Sequence, residues 1–282
     1  MDVQYNSTCY TFEQHTYKNG LLDACVDATY IIHLKTNSRM THIREQLSEF
    51  QPTKTVYVAI NQGYKNCTKK LIEQAPYQDL TDAFLQCFRH ADAQGYNNIL
   101  ILEDDFIFSP DMKQKQHTDN VCRFIQSRGD EPFIYYLGCI PIGIVPYDLS
   151  TYYSLKSLTY HSVIYSKKAR SQIKDYSSKH WDVIVENNIS SRYLYYKPLC
   201  YQLFPETENK KAWKDKDSSI TTNIKNMTIQ GLQMNKTPEP GFSILYYFAK
   251  FLFLLCITIL AVLLYYVIKH TKILKKRYNK YI

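Results

Sequence analysis

Apolar strands alternating with amphipathic helices predict an α/β fold, with a mostly parallel sheet and helices on both faces, followed by one C-terminal transmembrane helix. Three observations carry this expectation. Short runs rich in β-branched and aromatic residues recur through the first two thirds of the chain. Stretches of helical periodicity separate them. Near the C-terminus, Phe251 to Ile268 gives 18 residues without a charge.

The elements follow in order. Residues 1–24 are polar and read as irregular. Ala28–Leu34 reads as a buried strand. Met40, Ile43, Leu47 and Phe50 recur at helical spacing until Pro52 stops the helix. Thr55–Ile60 is a second strand. Leu80, Phe84, Phe88 and Ala91 mark one face of a helix that Gly95 ends. Asn98–Leu102 is a third apolar strand and runs straight into Glu103-Asp104-Asp105. Ser109-Pro110-Asp111 opens another helical stretch that ends near Gly129. Pro132–Leu137, Thr159–Tyr165 and Arg192–Tyr196 read as strands, and Lys167–Tyr176 as a helix. The expected organisation is an N-terminal extension (1–26), one domain (27–215), a polar linker (216–241), the membrane helix (242–268) and a basic tail (269–282).

Composition narrows the function. The 282 residues carry 34 Lys and Arg against 26 Asp and Glu, a formal charge of +8. Of that excess, +7 falls after Glu239, where acidic residues are absent, so the body is close to neutral. A neutral body argues against a nucleic-acid partner. With 45% hydrophobic residues the chain can also bury a real core.

As a helix, Phe251–Ile268 would cover about 27 Å, close to the hydrocarbon core of a bilayer. Tyr246, Tyr247, Tyr265 and Tyr266 sit near its ends, as an interfacial aromatic belt would. The first residues lack the basic start and apolar run of a signal peptide. That suggests a tail-anchored protein with a cytosolic body. The positive-inside rule instead places the basic tail in the cytosol and the body in a lumen. The chain has five glycosylation sequons, at Asn6, Asn66, Asn188, Asn226 and Asn235. Seven cysteines precede the apolar run without a C-x-x-C pair, so neither a zinc site nor a redox motif is supported; the bland reading is free buried thiols, and an odd number cannot all pair within one body.

The sharpest chemical feature is residues 97–108, NNILILEDDFIF. Ligands of open α/β sheets bind beyond the carboxyl ends of strands. Three carboxylates there repel one another unless a cation neutralises them, and hard oxygen donors favour Mg²⁺ or Mn²⁺. An acidic triplet at a loop start is usually a solvated turn. Here apolar runs flank it on both sides, which argues against an idle surface loop.

These residues resemble glycosyltransferase family 25, the group of lipopolysaccharide and collagen galactosyltransferases. Thr29–Lys35 with Arg39 resembles the family's opening strand and basic turn. Leu80–Gly95 followed by Asn98–Phe108 resembles its helix and "LEDD" strand. Tyr160–Ser166 with Lys168-Ala169, then His180-Trp181-Asp182, then Pro205–Trp213 resemble the later blocks, in the same order. His33 stands where the family has Asn, and the basic turn is shorter.

The resemblance implies a GT-A-type fold, a nucleotide-sugar donor (a uridine diphosphate sugar) and Mn²⁺ (or Mg²⁺). It implies inverting transfer of a sugar such as galactose to a glycan, lipid or protein acceptor. Carried over by position, Glu103 and Asp105 hold the metal, and Asp104 contacts the sugar. His33, Lys35 and Arg39 line the nucleotide end. Asp182 is the expected general base, with His161 or His180 sharing that role or ligating the metal. Glu206, Asn209 and Trp213 would shape the acceptor side. The expected setting is an ER, Golgi or viral membrane. A non-catalytic membrane glycoprotein, or a transferase that has lost turnover, is the alternative. The two part on whether Glu103 and Asp105 converge on an open cleft.

Overall fold

The computed structural model describes residues 8–173, 180–203 and 229–278. In chain order the elements are β1 (Tyr10–Thr16), β2 (Ala28–Leu34), α1 (Met40–Glu49), β3 (Thr55–Asn61), α2 (Pro76–Ala93), β4 (Asn98–Glu103) and β5 (Phe106–Phe108). A 3₁₀ turn, Pro110–Lys113, leads into α3 (Lys115–Ser127). Then come β6 (Ile134–Pro146), β7 (Thr151–Ser166), α4 (Lys167–Gln172), α5 (Trp181–Asn188), β8 (Arg192–Tyr195), β9 (Cys200–Gln202) and α6 (Gly241–Tyr278).

Local chemistry explains several boundaries. α2 starts with Pro76, whose missing N–H costs nothing in a first turn. It ends at Gly95, with φ +77°, as expected from the sequence. There the Gly95 N–H donates to Asp92 O at 3.1 Å and the Tyr96 N–H to Ala91 O at 3.0 Å, a Schellman cap.

Seven strands form one sheet in the order β1-β3-β2-β4-β7-β6-β8. β3, β2 and β4 are mutually parallel, as the sequence predicts for strands joined by helices. The flanks are not: β1 pairs antiparallel with β3, and β7 antiparallel with both β4 and β6. The sheet is therefore mixed. The reason is the tight turn between β6 and β7, which can join only antiparallel strands.

Alternation along β4 divides the core into two layers. Ile99 and Ile101 face Phe84, Phe88 and Ala91 of α2. Leu100 and Leu102 face Ile43 and Leu47 of α1 and Val121 and Ile125 of α3. α1 and α2 thus cover opposite faces.

Two expectations need correction. The N-terminal extension is not irregular: Tyr10–Thr16 is the edge strand of the main sheet. Its half-exposed, polar-rich pattern carries no apolar run by which to read it. Nor are all the cysteines free. Cys9–Cys67 ties this segment to the loop after β3, and Cys25–Cys122 ties it to α3. Cys87, Cys139 and Cys200 are free and buried.

β6 and β7 are also longer than the sequence suggests. β8 pairs with the start of β6 and again with the start of β7, so the hairpin curls back on itself. Register shifts between Tyr136 and Ile144 supply the bend.

The Pro205–Trp213 block, with Glu206, Asn209 and Trp213, lies outside the described residues, as does most of the expected linker. The described end of that linker packs on the body through Ile229 and Met234. In α6, Phe242, Tyr246 and Ala249 are buried against the body, whereas side chains from Leu254 to Lys272 are exposed all round. Gly241–Lys272 is long and apolar enough to cross a membrane.

Candidate functional site

The connections from β2 and β4 leave the sheet in opposite directions. β2 runs through α1 to β3 on one side, and β4 runs through β5 and α3 to β6 on the other. Adjacent parallel strands whose connections diverge open a crevice at their carboxyl ends. The β2 loop brings His33, Lys35, Asn37 and Arg39 there. The β4 turn brings Glu103, Asp104 and Asp105.

Asp104 is buried and fully engaged. Its Oδ2 lies 3.0 Å from His33 Nδ1 and accepts from Asn37 Nδ2 at 2.6 Å, and its Oδ1 pairs with Arg39 Nη1. Burial alone would raise its pKa. The His33 hydrogen bond, the Arg39 charge and the Asn37 hydrogen bond outweigh burial and hold it below the usual carboxylate value.

Asp105 behaves oppositely. Burial, then the Asp104 charge, push it up to about 7, although Arg39 and Gln202 pull the other way. Gln202 Nε2 lies 3.3 Å from both Asp105 oxygens, and Arg39 Nη1 is 3.9 Å from Oδ2. The two neighbouring carboxyls are thus pushed in opposite directions, Asp104 toward the anion and Asp105 toward the neutral acid.

Arg39 is the counter-cation of the whole triplet. Burial would lower its pKa, but Asp104, Asp105 and Glu103 together raise it. That arrangement bears on the expected metal. Both Asp104 oxygens are occupied, a guanidinium stands beside Asp105, and among the described residues no group of three His, Cys, Asp or Glu is placed to hold a cation. The residues as folded therefore do not form a Mn²⁺ or Mg²⁺ cage around Glu103 and Asp105.

Two cavities stand away from Glu103 and Asp105. One cavity, of about 520 Å³, opens beside β5 between Gln46, Phe50, Phe108, Tyr201 and Glu239. A second lies on α2 at Arg89, His90, Ala93 and Gln94.

The crevice gathers six predicted residues: His33, Lys35, Arg39, Glu103, Asp104 and Asp105. Two others stand elsewhere. His161 is completely buried beneath the β5–β9 ribbon, with Nε2 3.3 Å from Cys200 O. Burial lowers its pKa to about 4, so it is a neutral core histidine and not an exposed base. Asp182 lies in the first turn of α5 and accepts from the Val183 N–H at 3.0 Å. Its helix packs through Trp181 on Phe84 and Phe88 of α2. His180 stacks near Tyr77, at the start of α2.

Sequence reasoning missed Asn37 and Gln202. Asn37 lies within the basic turn and could have been read from it. Gln202 is 97 residues from Asp105, and no local pattern marks it.

No protein-family model and no curated protein matches the chain. Among solved structures, A197 from STIV shares 8% identity at a TM-score of 0.37, covering 63% of this chain and 85% of that one. A candidate glucose-1-phosphate thymidylyltransferase from Bacillus anthracis, in complex with a sucrose, shares 14% identity at a TM-score of 0.35, covering 69% and 79%. Both scores are too low to carry an argument about fold or function.

Proposed function

We propose that the chain is a membrane-anchored glycosyltransferase acting on a nucleotide-sugar donor, as its resemblance to glycosyltransferase family 25 suggests. The observation that supports this reading best is the crevice between β2 and β4. It joins a basic loop, with Lys35 and Arg39, to a carboxylate pair of which one member sits near pKa 7. Lys35 suits a diphosphate, and Arg39 holds the carboxylates in place beside it. Asp105 suits proton transfer from an acceptor hydroxyl, a role the sequence assigned to Asp182.

Two disulfides fit an oxidising compartment. The basic residues after Ile268 fit the cytosolic side. Together they favour a body in the ER or Golgi lumen, or outside a virion, over a cytosolic body.

The test is a binding and turnover screen of the full chain in nanodiscs with a panel of nucleotide sugars, with and without Mn²⁺. Donor binding and donor hydrolysis, both lost in Arg39→Ala, are expected. No binding and no hydrolysis under any condition overturns the reading. It would favour a non-catalytic membrane glycoprotein.

A further inference from the structure

We infer that the β6–β7 hairpin tip is a second membrane contact, which seats the body on the phospholipid interface beside the spanning helix. This rests on α6 being the anchor, and it adds a surface that neither the apolar run nor the crevice implies.

Lys250 is the last charge before the 18-residue apolar run, so it marks where the chain enters hydrocarbon. Its Nζ stands 5.4 Å from the ring centroids of Tyr152, Tyr196 and Tyr247. Tyr247 belongs to α6, but Tyr152 is on β7 and Tyr196 directly follows β8. Three tyrosines from three elements therefore gather at the level of the entry point, and tyrosine is enriched at that depth of a bilayer. A lysine there can extend its ammonium toward phosphate groups while its stem stays apolar.

The hairpin tip is tied to the same place. The Tyr196 N–H donates to Ser150 O at 2.9 Å, which holds the tip beside the cluster. Next to Ser150, Leu149 is fully exposed, and Tyr147 is half exposed. A leucine at a turn tip gains nothing from water, but it can insert into the headgroup–acyl boundary. The acidic residue in the tip does not oppose this strongly. Asp148 Oδ1 accepts from the Ser150 N–H at 2.7 Å and from its hydroxyl at 3.1 Å, which closes the turn. Arg128, ion-paired with Glu131, donates to the Tyr147 hydroxyl at 2.6 Å and fixes that ring beside the tip.

Three single variants of the full chain, in nanodiscs of brominated phosphatidylcholine, test the contact. Leu149→Trp reports the tip, Leu260→Trp the span, and Ile72→Trp an exposed loop three strands away across the sheet. After subtraction of the parent emission, shallow bromines should quench Leu149→Trp at least about twofold, with Ile72→Trp unquenched, as for a side chain at the interface. Deep bromines should quench Leu260→Trp. If Leu260→Trp is quenched and Leu149→Trp behaves like Ile72→Trp, the hairpin contact is overturned and the anchor stands. If neither is quenched, both fall.

Discussion

Arg39, on the loop that leaves β2, ion-pairs with Asp104 at the end of β4, so one guanidinium closes the gap between two strands whose connections diverge. The side chain is mostly buried and has three carboxylates around it. Arg39→Ala would leave Asp104 and Asp105 without their cation, and breaking a buried pair costs about 3 kcal/mol. Urea denaturation should show that loss. Arg39→Lys should recover part of it, because it keeps the charge and loses the planar fork.

Asp105 gives the crevice a pH signature. Its folded pKa, about 7, lies above the ordinary aspartate value of 3.8. Between those values the folded state keeps a proton that the unfolded chain releases, so stability falls as pH rises through the window and levels off above it. Asp105→Asn should remove this slope. At pH 8 the variant should be more stable than the parent, by up to about 4 kcal/mol, and at pH 4 the two should converge. Equal slopes in parent and variant would show that Asp105 is not the group responsible.

His161 predicts the opposite slope. Its folded pKa, about 4, lies below the ordinary histidine value of 6.5. As pH falls between those values the unfolded chain gains a proton that the folded core refuses, so stability is lost over that window, by up to about 3 kcal/mol. His161→Gln can keep a hydrogen bond to Cys200 O and should flatten this acid limb. It should also leave donor turnover in place, because the ring is completely buried. Abolished turnover in a folded His161→Gln would restore it to the mechanism.

Lys69 belongs to a buried network that holds the loop after β3. Its Nζ donates to Tyr10 Oη at 2.5 Å, to Asn61 Oδ1 at 2.6 Å and to Asp79 Oδ1 at 2.5 Å, with Asp82 at 3.5 Å. Lys69→Met should cost about 3–5 kcal/mol, because it strands two buried carboxylates. Thermal denaturation of the variant, followed in parallel with Asp79→Asn, checks this.

Topology has a direct assay. Asn66 and Asn235 are exposed, whereas the Asn188 amide is half buried and donates to Ile184 O at 2.8 Å. In a secretory host, endoglycosidase should remove glycans whose sites Asn66→Gln and Asn235→Gln abolish, and Asn188→Gln should change nothing. A full-length chain without any glycan, and with reduced Cys25 and Cys122, would place the body in the cytosol.

The parallel centre of the sheet was legible because its strands are buried on both faces. ATYIIHL and NILILE announce themselves as apolar runs. β1 was not, because an edge strand is half wet and YTFEQHT looks like a loop. The acidic turn was legible as a cluster. Its counter-ion was not, because a cation's distance from Asp104 depends on which loops share a sheet edge and not on spacing along the chain.

By itself, the sequence determined the neutral body, the apolar segment after Lys250, the parallel strands and the placing of three acids at a strand end. All of these are properties of contiguous residues, and local periodicity and charge suffice to read them. Tertiary structure decided which groups meet. It set Arg39 on Asp104, Gln202 on Asp105 and Cys200 over His161, and it gathered Tyr152 and Tyr196 around Lys250. Each of these pairs is separated by tens of residues, so its energy depends on strand order and register. Those, with the desolvation they impose, made Asp104 an arginine-capped anion and His161 a core residue.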